Sequence, residues 1–234
     1  MALCLILRML LKPWELELGS DNLYHKRKAK NVNELKRQKE SKSEYKTILI
    51  VCEGKKTEPL YFREMIADLK LNTANISVEP SDSTCPLNLV RFAQNKALEE
   101  DYDLIYCVFD KDSHYKYSDA LNLIRGLGAR YIAANSVPCF EYWLLLHFGS
   151  SSSSFYGGSK SPGDEAVNKL KKKIPGYKKS QTGIYSKIKA KTDVALANAK
   201  KANSAAAAAG TDDPSTQVNI LVSELLKIRS EMEA

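Results

Sequence analysis

Soft metal ligands are scarce in this chain of 234 residues, which has three histidines and five cysteines. Cys4, Cys52, Cys85, Cys107 and Cys139 never fall two or three residues apart. Zinc knuckles need such pairs, so that class is set aside. The odd count and the want of a convincing export signal also argue against a disulfide framework. Reduced thiols in a cytoplasm are expected. There is no Gly-x-x-x-x-Gly-Lys-Ser/Thr loop, so the chain should not hydrolyse ATP by itself. No Gly-x-Ser-x-Gly elbow supports Ser/His/Asp catalysis. No internal repeat is visible. The apolar start, Met1 to Leu11, is about half of what a membrane span needs. It reads as a short packing or amphipathic segment, or as a start codon placed too early. No membrane partner is expected.

What is present is unevenly charged. The net charge is +7. Residues 26–46 carry nine Lys or Arg against three acidic residues, and residues 160–201 carry twelve against three. Two basic flanks therefore border an acidic remainder. Basic flanks suit a polyanion, because each neutralised phosphate releases counterions. An acidic remainder suits a cation site or plain solubility. Hydrophobic residues make up 44% of the chain, enough for a real core.

Apolar periodicity predicts an α/β fold: a parallel sheet of about four strands flanked by helices, with a helical C-terminal extension. Continuous apolar runs at Thr47–Cys52, Asp103–Phe109 and Arg130–Ala134 read as buried strands, and Ile76–Val78 as a shorter one. Helices are expected from Pro59 to Leu69, Thr84 to Glu100, Ser118 to Leu127 and Phe140 to Phe148. Beyond a Ser/Gly-rich loop over 150–163, helices are expected over 164–173, 187–209 and 215–233. Strands alternating with helices imply βαβ units. The chain divides into an apolar and basic N-terminal arm, partly disordered (1–45), a catalytic core (46–150) and a helical extension packed on that core (151–234).

Ligands of open parallel sheets gather outside the carboxyl ends of the strands. The first strand ends on Glu53-Gly54, and the third on Asp110-Lys111-Asp112. If these strands are neighbours, three carboxylates converge. Like charges about 4 Å apart repel by roughly 1–4 kcal/mol, so either the pKa values rise or a cation neutralises the group. Carboxylates without imidazole or thiolate point to Mg²⁺ or Mn²⁺ and to phosphoryl-transfer chemistry. Glu53, Asp110 and Asp112 are the expected metal ligands.

Other residues carry two readings. Glu58 is a ligand for a second metal or a helix-dipole carboxylate. Glu141 opens an apolar helix, either as a site residue or as half of an internal ion pair. His114 positions water or phosphate, or is a loop histidine. His147 reads as a hydrogen-bonded structural residue. Lys55, Lys56 and Lys111 are phosphate contacts or plain surface.

Three stretches resemble the RloB-like family. They are Ile48 to Phe62, with Val51-Cys52-Glu53-Gly54 at its centre, Val108 to His114, and Pro138 to Phe148. Asp213-Pro214-Ser215-Thr216 is a weaker fourth. The Glu and Asp-x-Asp pair also resembles the Toprim pattern of topoisomerases, primases and OLD-type nucleases. The resemblance implies a Toprim-like core and a metal-dependent nuclease in antiviral defence of the abortive-infection type, with an AAA-type ATPase as partner. It implies the metal role of Glu53, Asp110 and Asp112, and leaves open DNA or RNA as substrate and an oligomeric state. The alternative is a non-catalytic subunit that binds nucleic acid or an ATPase and regulates.

Overall fold

The apolar runs become strands in the computed structural model, which describes residues 46–111, 115–150 and 152–233. All of these fall within one compact unit. The arm read over residues 1–45 lies outside the described residues, as do Asp112 and His114.

Four strands form a parallel sheet: β1 (Ile48–Glu53), β2 (Ile76–Ser81), β3 (Leu104–Val108) and β4 (Tyr131–Ala133), in the order β2-β1-β3-β4. β1 is central and its residues Ile48 to Cys52 are fully buried. Its side chains alternate between two cores, as the two-residue period of a strand requires. Ile48, Ile50 and Cys52 join one core, and Leu49 and Val51 the other. Pro80 lacks an amide donor and stands in an edge strand, where that loss is tolerated.

Helices cover both faces. α1 (Thr57–Asp68) packs Phe62 and Met65 on the first core, and Pro59 lies in its first turn, where its missing N–H is not needed. α2 (Pro86–Glu99) and α3 (Tyr117–Gly126) supply Leu89, Val90, Ala120 and Ile124 to the second core. α4 (Phe140–Leu146) is buried on nearly every side, and its Trp143 indole donates to Tyr61 Oη at 3.1 Å. The remaining helices are α5 (Pro162–Lys173), α6 (Ile184–Ile188), α7 (Thr192–Ala208) and α8 (Val218–Glu233). α8 brings Val218, Leu221, Val222 and Leu225 to the first core, the stripe expected of it. Among the described residues, no helix is long and apolar enough to cross a membrane.

Two boundaries differ from the sequence reading. The helix expected over 187–209 is broken by a 3₁₀ turn at Lys189–Lys191, where Thr192 Oγ1 donates to the Lys189 carbonyl at 2.8 Å. The last helix does not begin at Ser215. Ser215–Thr216 form β6, antiparallel to β5 (Ser136–Val137), in a separate two-stranded sheet. The Asn203 amide stands in for a further strand: it donates to the Thr216 carbonyl at 2.8 Å and accepts from the Thr216 N–H at 3.0 Å.

Candidate active site

β1 and β3 are neighbours, so their carboxyl ends deliver Glu53 and Asp110 side by side. The Asp110 N–H donates to Glu53 Oε2 at 3.0 Å, which ties the two strand ends together. Beyond β3 the ladder continues irregularly. Ser136 N–H donates to the Phe109 carbonyl at 3.0 Å, and Lys111 N–H to the Ser136 carbonyl at 2.9 Å. Asp110 is thus held in an extended conformation beside β5.

Gly54 turns the chain from β1 toward α1 with φ +79°, a region open to glycine at little cost. A Cβ there would stand 3.8 Å from Glu58 Oε2. Glu58 is the second residue of α1, and Glu141 the second of α4. Glu53, Glu58, Asp110 and Glu141 all line one cavity of about 310 Å³, rimmed by Lys55, Lys56 and Lys179.

The electrostatics follow from that convergence. Burial pushes the Glu58 carboxyl up to about 8, with Glu141 and Glu53 adding to the rise while its backbone hydrogen bond and Lys179 oppose it. Burial likewise lifts Asp110 well above the carboxylate range, reinforced by Glu58, Glu141 and Glu53 against Lys179. Glu141 is 2% exposed. Its Oε1 accepts from Tyr177 Oη at 3.0 Å and lies 3.7 Å from Lys179 Nζ. Burial lowers the Lys179 ammonium, but Glu141, Cys139, Asp110 and Glu58 together raise it above its usual value. Burial also raises the Cys52 and Cys139 thiols, so neither is a nucleophile near neutral pH.

Glu53, Asp110, Glu58, Glu141, Lys55 and Lys56 are therefore brought together. Lys55 also pairs with exposed Asp82 at 2.7 Å. Lys111 is held elsewhere: its ammonium lies 2.7 and 2.8 Å from the two Asp212 oxygens and 5.7 Å from the centre of the Tyr117 ring. The two remaining expected members, Asp112 and His114, lie outside the described residues. His147 is buried at the carboxyl end of α4, with Nδ1 3.2 Å from the Trp143 carbonyl, as a structural residue should be.

Sequence reasoning missed Lys179 and Tyr177. They lie between α5 and α6, in a segment with no periodicity. Only tertiary contacts place it: Ser180 N–H donates to Thr57 Oγ1 at 3.2 Å, and the Glu64 carboxylate accepts from the N–H groups of Gly183 and Tyr185. The weak fourth motif and its neighbour Asp212 brace other parts: Lys111, Phe155 and β5. Asp212 pairs with Lys111, Asp213 accepts from Phe155 N–H at 3.1 Å, and β6 pairs with β5.

Among the described residues, no three His, Cys, Asp or Glu side chains are gathered, as placed, closely enough to hold one ion. The donor chemistry nonetheless suits a hard divalent cation, because carboxylate oxygens are hard ligands and burial and mutual repulsion raise the Glu58 and Asp110 carboxyls above their ordinary values. A divalent cation relieves that repulsion.

Compared with known proteins, residues 48–225 match the family model described as RloB-like protein. Neither a curated protein nor a solved structure matches the chain.

Proposed function

The chain belongs to the RloB-like family, and from that premise we propose that it is a divalent-metal-dependent nuclease hydrolysing phosphodiester bonds. The observation that carries the reading is the convergence of Glu53, Asp110, Glu58 and Glu141 in one cavity with a lysine rim. Glu53 and Asp110, with Asp112, would hold Mg²⁺ or Mn²⁺, and Glu58 or Glu141 would complete the set. The cation would supply Lewis acidity toward the phosphate and a more acidic bound water.

The chain's own residues have the following parts. Lys179, Lys55 and Lys56 bind and orient the anionic phosphate at the cavity mouth. Glu58, whose carboxyl titrates near pH 8 in the protein alone, is able to take a proton from attacking water or return one to the leaving oxygen. Tyr177 holds Glu141 in place through its hydroxyl. The glutamate at one strand end and the aspartate at the next support a Toprim-like reading of the core. Family resemblance supports a place in antiviral defence beside an AAA-type ATPase, which would provide the nucleotide chemistry this chain has no loop for.

Cleavage of plasmid DNA and total RNA in Mg²⁺ and in Mn²⁺ tests the proposal, with Asp110→Ala alongside and a candidate ATPase with ATP added. Cleavage by the wild type, and none by the variant, is expected. A second reading is favoured by one observation: among the described residues, which leave out Asp112, no three ligating side chains meet. It is a non-catalytic subunit that binds nucleic acid or an ATPase. No cleavage by either protein under any of these conditions would select it.

A further inference from the structure

A second cleft, of about 350 Å³, opens along α4 and α5. Its wall is apolar and aromatic: Tyr142, Leu145, Phe148 and Phe155. Its rim is basic: Lys169, Lys172 and Lys173. No acidic residue lines it among the described residues. Lys169 Nζ lies 4.1 Å from the centre of the Phe155 ring, and Lys191 Nζ 4.8 Å from that of Phe148. Lys169 also reaches Glu165 at 3.4 Å, whereas Lys172 and Lys173 have no acidic partner among the described residues.

The volume falls in the range of small-ligand sites, about 300–1,000 Å³. Apolar rings beside uncompensated ammonium groups suit a ligand that is flat at one end and anionic at the other. α4 links this cleft to the carboxylates. Glu141 in its first turn faces the first cavity, and Leu145 and Phe148 line the second. At 1.5 Å per residue, Glu141 and Leu145 are about 6 Å apart along the axis, a separation that a short stretch of one nucleic-acid strand can bridge.

We infer that this cleft seats an unpaired base of a single-stranded nucleic acid, with the base against Phe148 and Leu145 and its flanking phosphates on Lys172 and Lys173. The inference rests on the reading of the carboxylate cavity as a phosphodiester site. A duplex keeps its bases stacked and paired, so it gains from the lysines but not from the apolar wall. Strand selectivity is therefore the property that separates this cleft from a merely basic surface, in which the last-turn lysines of α5 only face its helix dipole.

The test is fluorescence anisotropy of the full chain in EDTA, with labelled single-stranded RNA and DNA and the matching duplexes, over a salt series. Melting curves check that each variant folds. Phe148→Ala is expected to weaken single-strand binding about tenfold without changing the salt slope, since base stacking is uncharged. Phe148→Trp should restore it, and duplex binding should change by less than about twofold. Lys172→Glu combined with Lys173→Glu should also weaken single-strand binding, and lower the slope by about 1.4. Equal losses for duplex and single strand in Phe148→Ala would overturn the assignment. So would unchanged single-strand binding, or displacement of the strand by a free nucleoside monophosphate at equal affinity. Because metal is chelated, strand-selective binding in a protein that never cleaves would count against the hydrolase reading alone.

Discussion

At Glu58, burial and the carboxylates of Glu141 and Glu53 hold the proton up to about pH 8, against an ordinary value of 4.5. The folded protein therefore binds more protons than the unfolded chain between those values. Stability from this group is complete below pH 4.5 and is lost as pH rises through 8. Glu58→Gln should flatten the alkaline limb of a melting-temperature profile and raise Tm at pH 9 by about 2–4 °C for each kcal/mol relieved. His147 has the opposite sign. Burial lowers it from 6.5 to about 4, despite hydrogen bonds to the Trp143 and Leu144 backbone that raise it. With the Trp143 carbonyl as acceptor, Nδ1 carries the proton, and buried Nε2 has no partner among the described residues. The stability that His147 contributes is complete above pH 6.5 and is lost as pH falls toward 4. His147→Gln should soften acid unfolding, as a pH series of urea melts would read.

At the scale of elements, α4 ties the carboxylate cavity to the first core, since it carries Glu141 and buries Trp143 completely. Trp143→Phe keeps most of the volume but strands the Tyr61 hydroxyl. A loss of about 1–3 kcal/mol in urea unfolding is expected, against roughly 3–5 kcal/mol for Trp143→Ala. The segment bearing Lys179 depends on Glu64, whose carboxylate takes the N–H groups of Gly183 and Tyr185. Glu64→Gln should cost about 1–2 kcal/mol and reduce cleavage more than folding. The strands were legible because a run such as Ile48 to Cys52 has no other stable home than a doubly covered sheet. So were Glu53 and Asp110, which simply end such runs. β5 and β6 were not legible, because two residues each are too few to show a period. The break at Lys189–Lys191 falls among good helix formers, so nothing local marks it. Lys179 was one of twelve basic residues in a charged flank, and its approach to Glu141 is decided by long-range contacts alone.

For the whole molecule, the charge map and the carboxylate cavity make a joint prediction. Burial and mutual repulsion raise the Glu58 and Asp110 carboxyls, so an ion bound between them should release protons from the pair. Mg²⁺ or Mn²⁺ should raise Tm, by more at pH 9 than at pH 5, and Asp110→Ala should abolish that difference. Calorimetry in buffers of different ionisation enthalpy would register the released protons. A shift independent of pH would place the ion elsewhere.

β5 finds its partner only eighty residues further along, where Ser136 Oγ and Thr216 Oγ1 meet at 2.9 Å. Asp212, which clamps the side chain of Lys111, the residue after Asp110, belongs to the same later stretch. A ribosome therefore makes Glu53 and Asp110 long before it makes the residues that steady them. During synthesis the acidic groove is a half-finished vessel, and the emerging chain acquires a braced site only once residues 212–216 have been added.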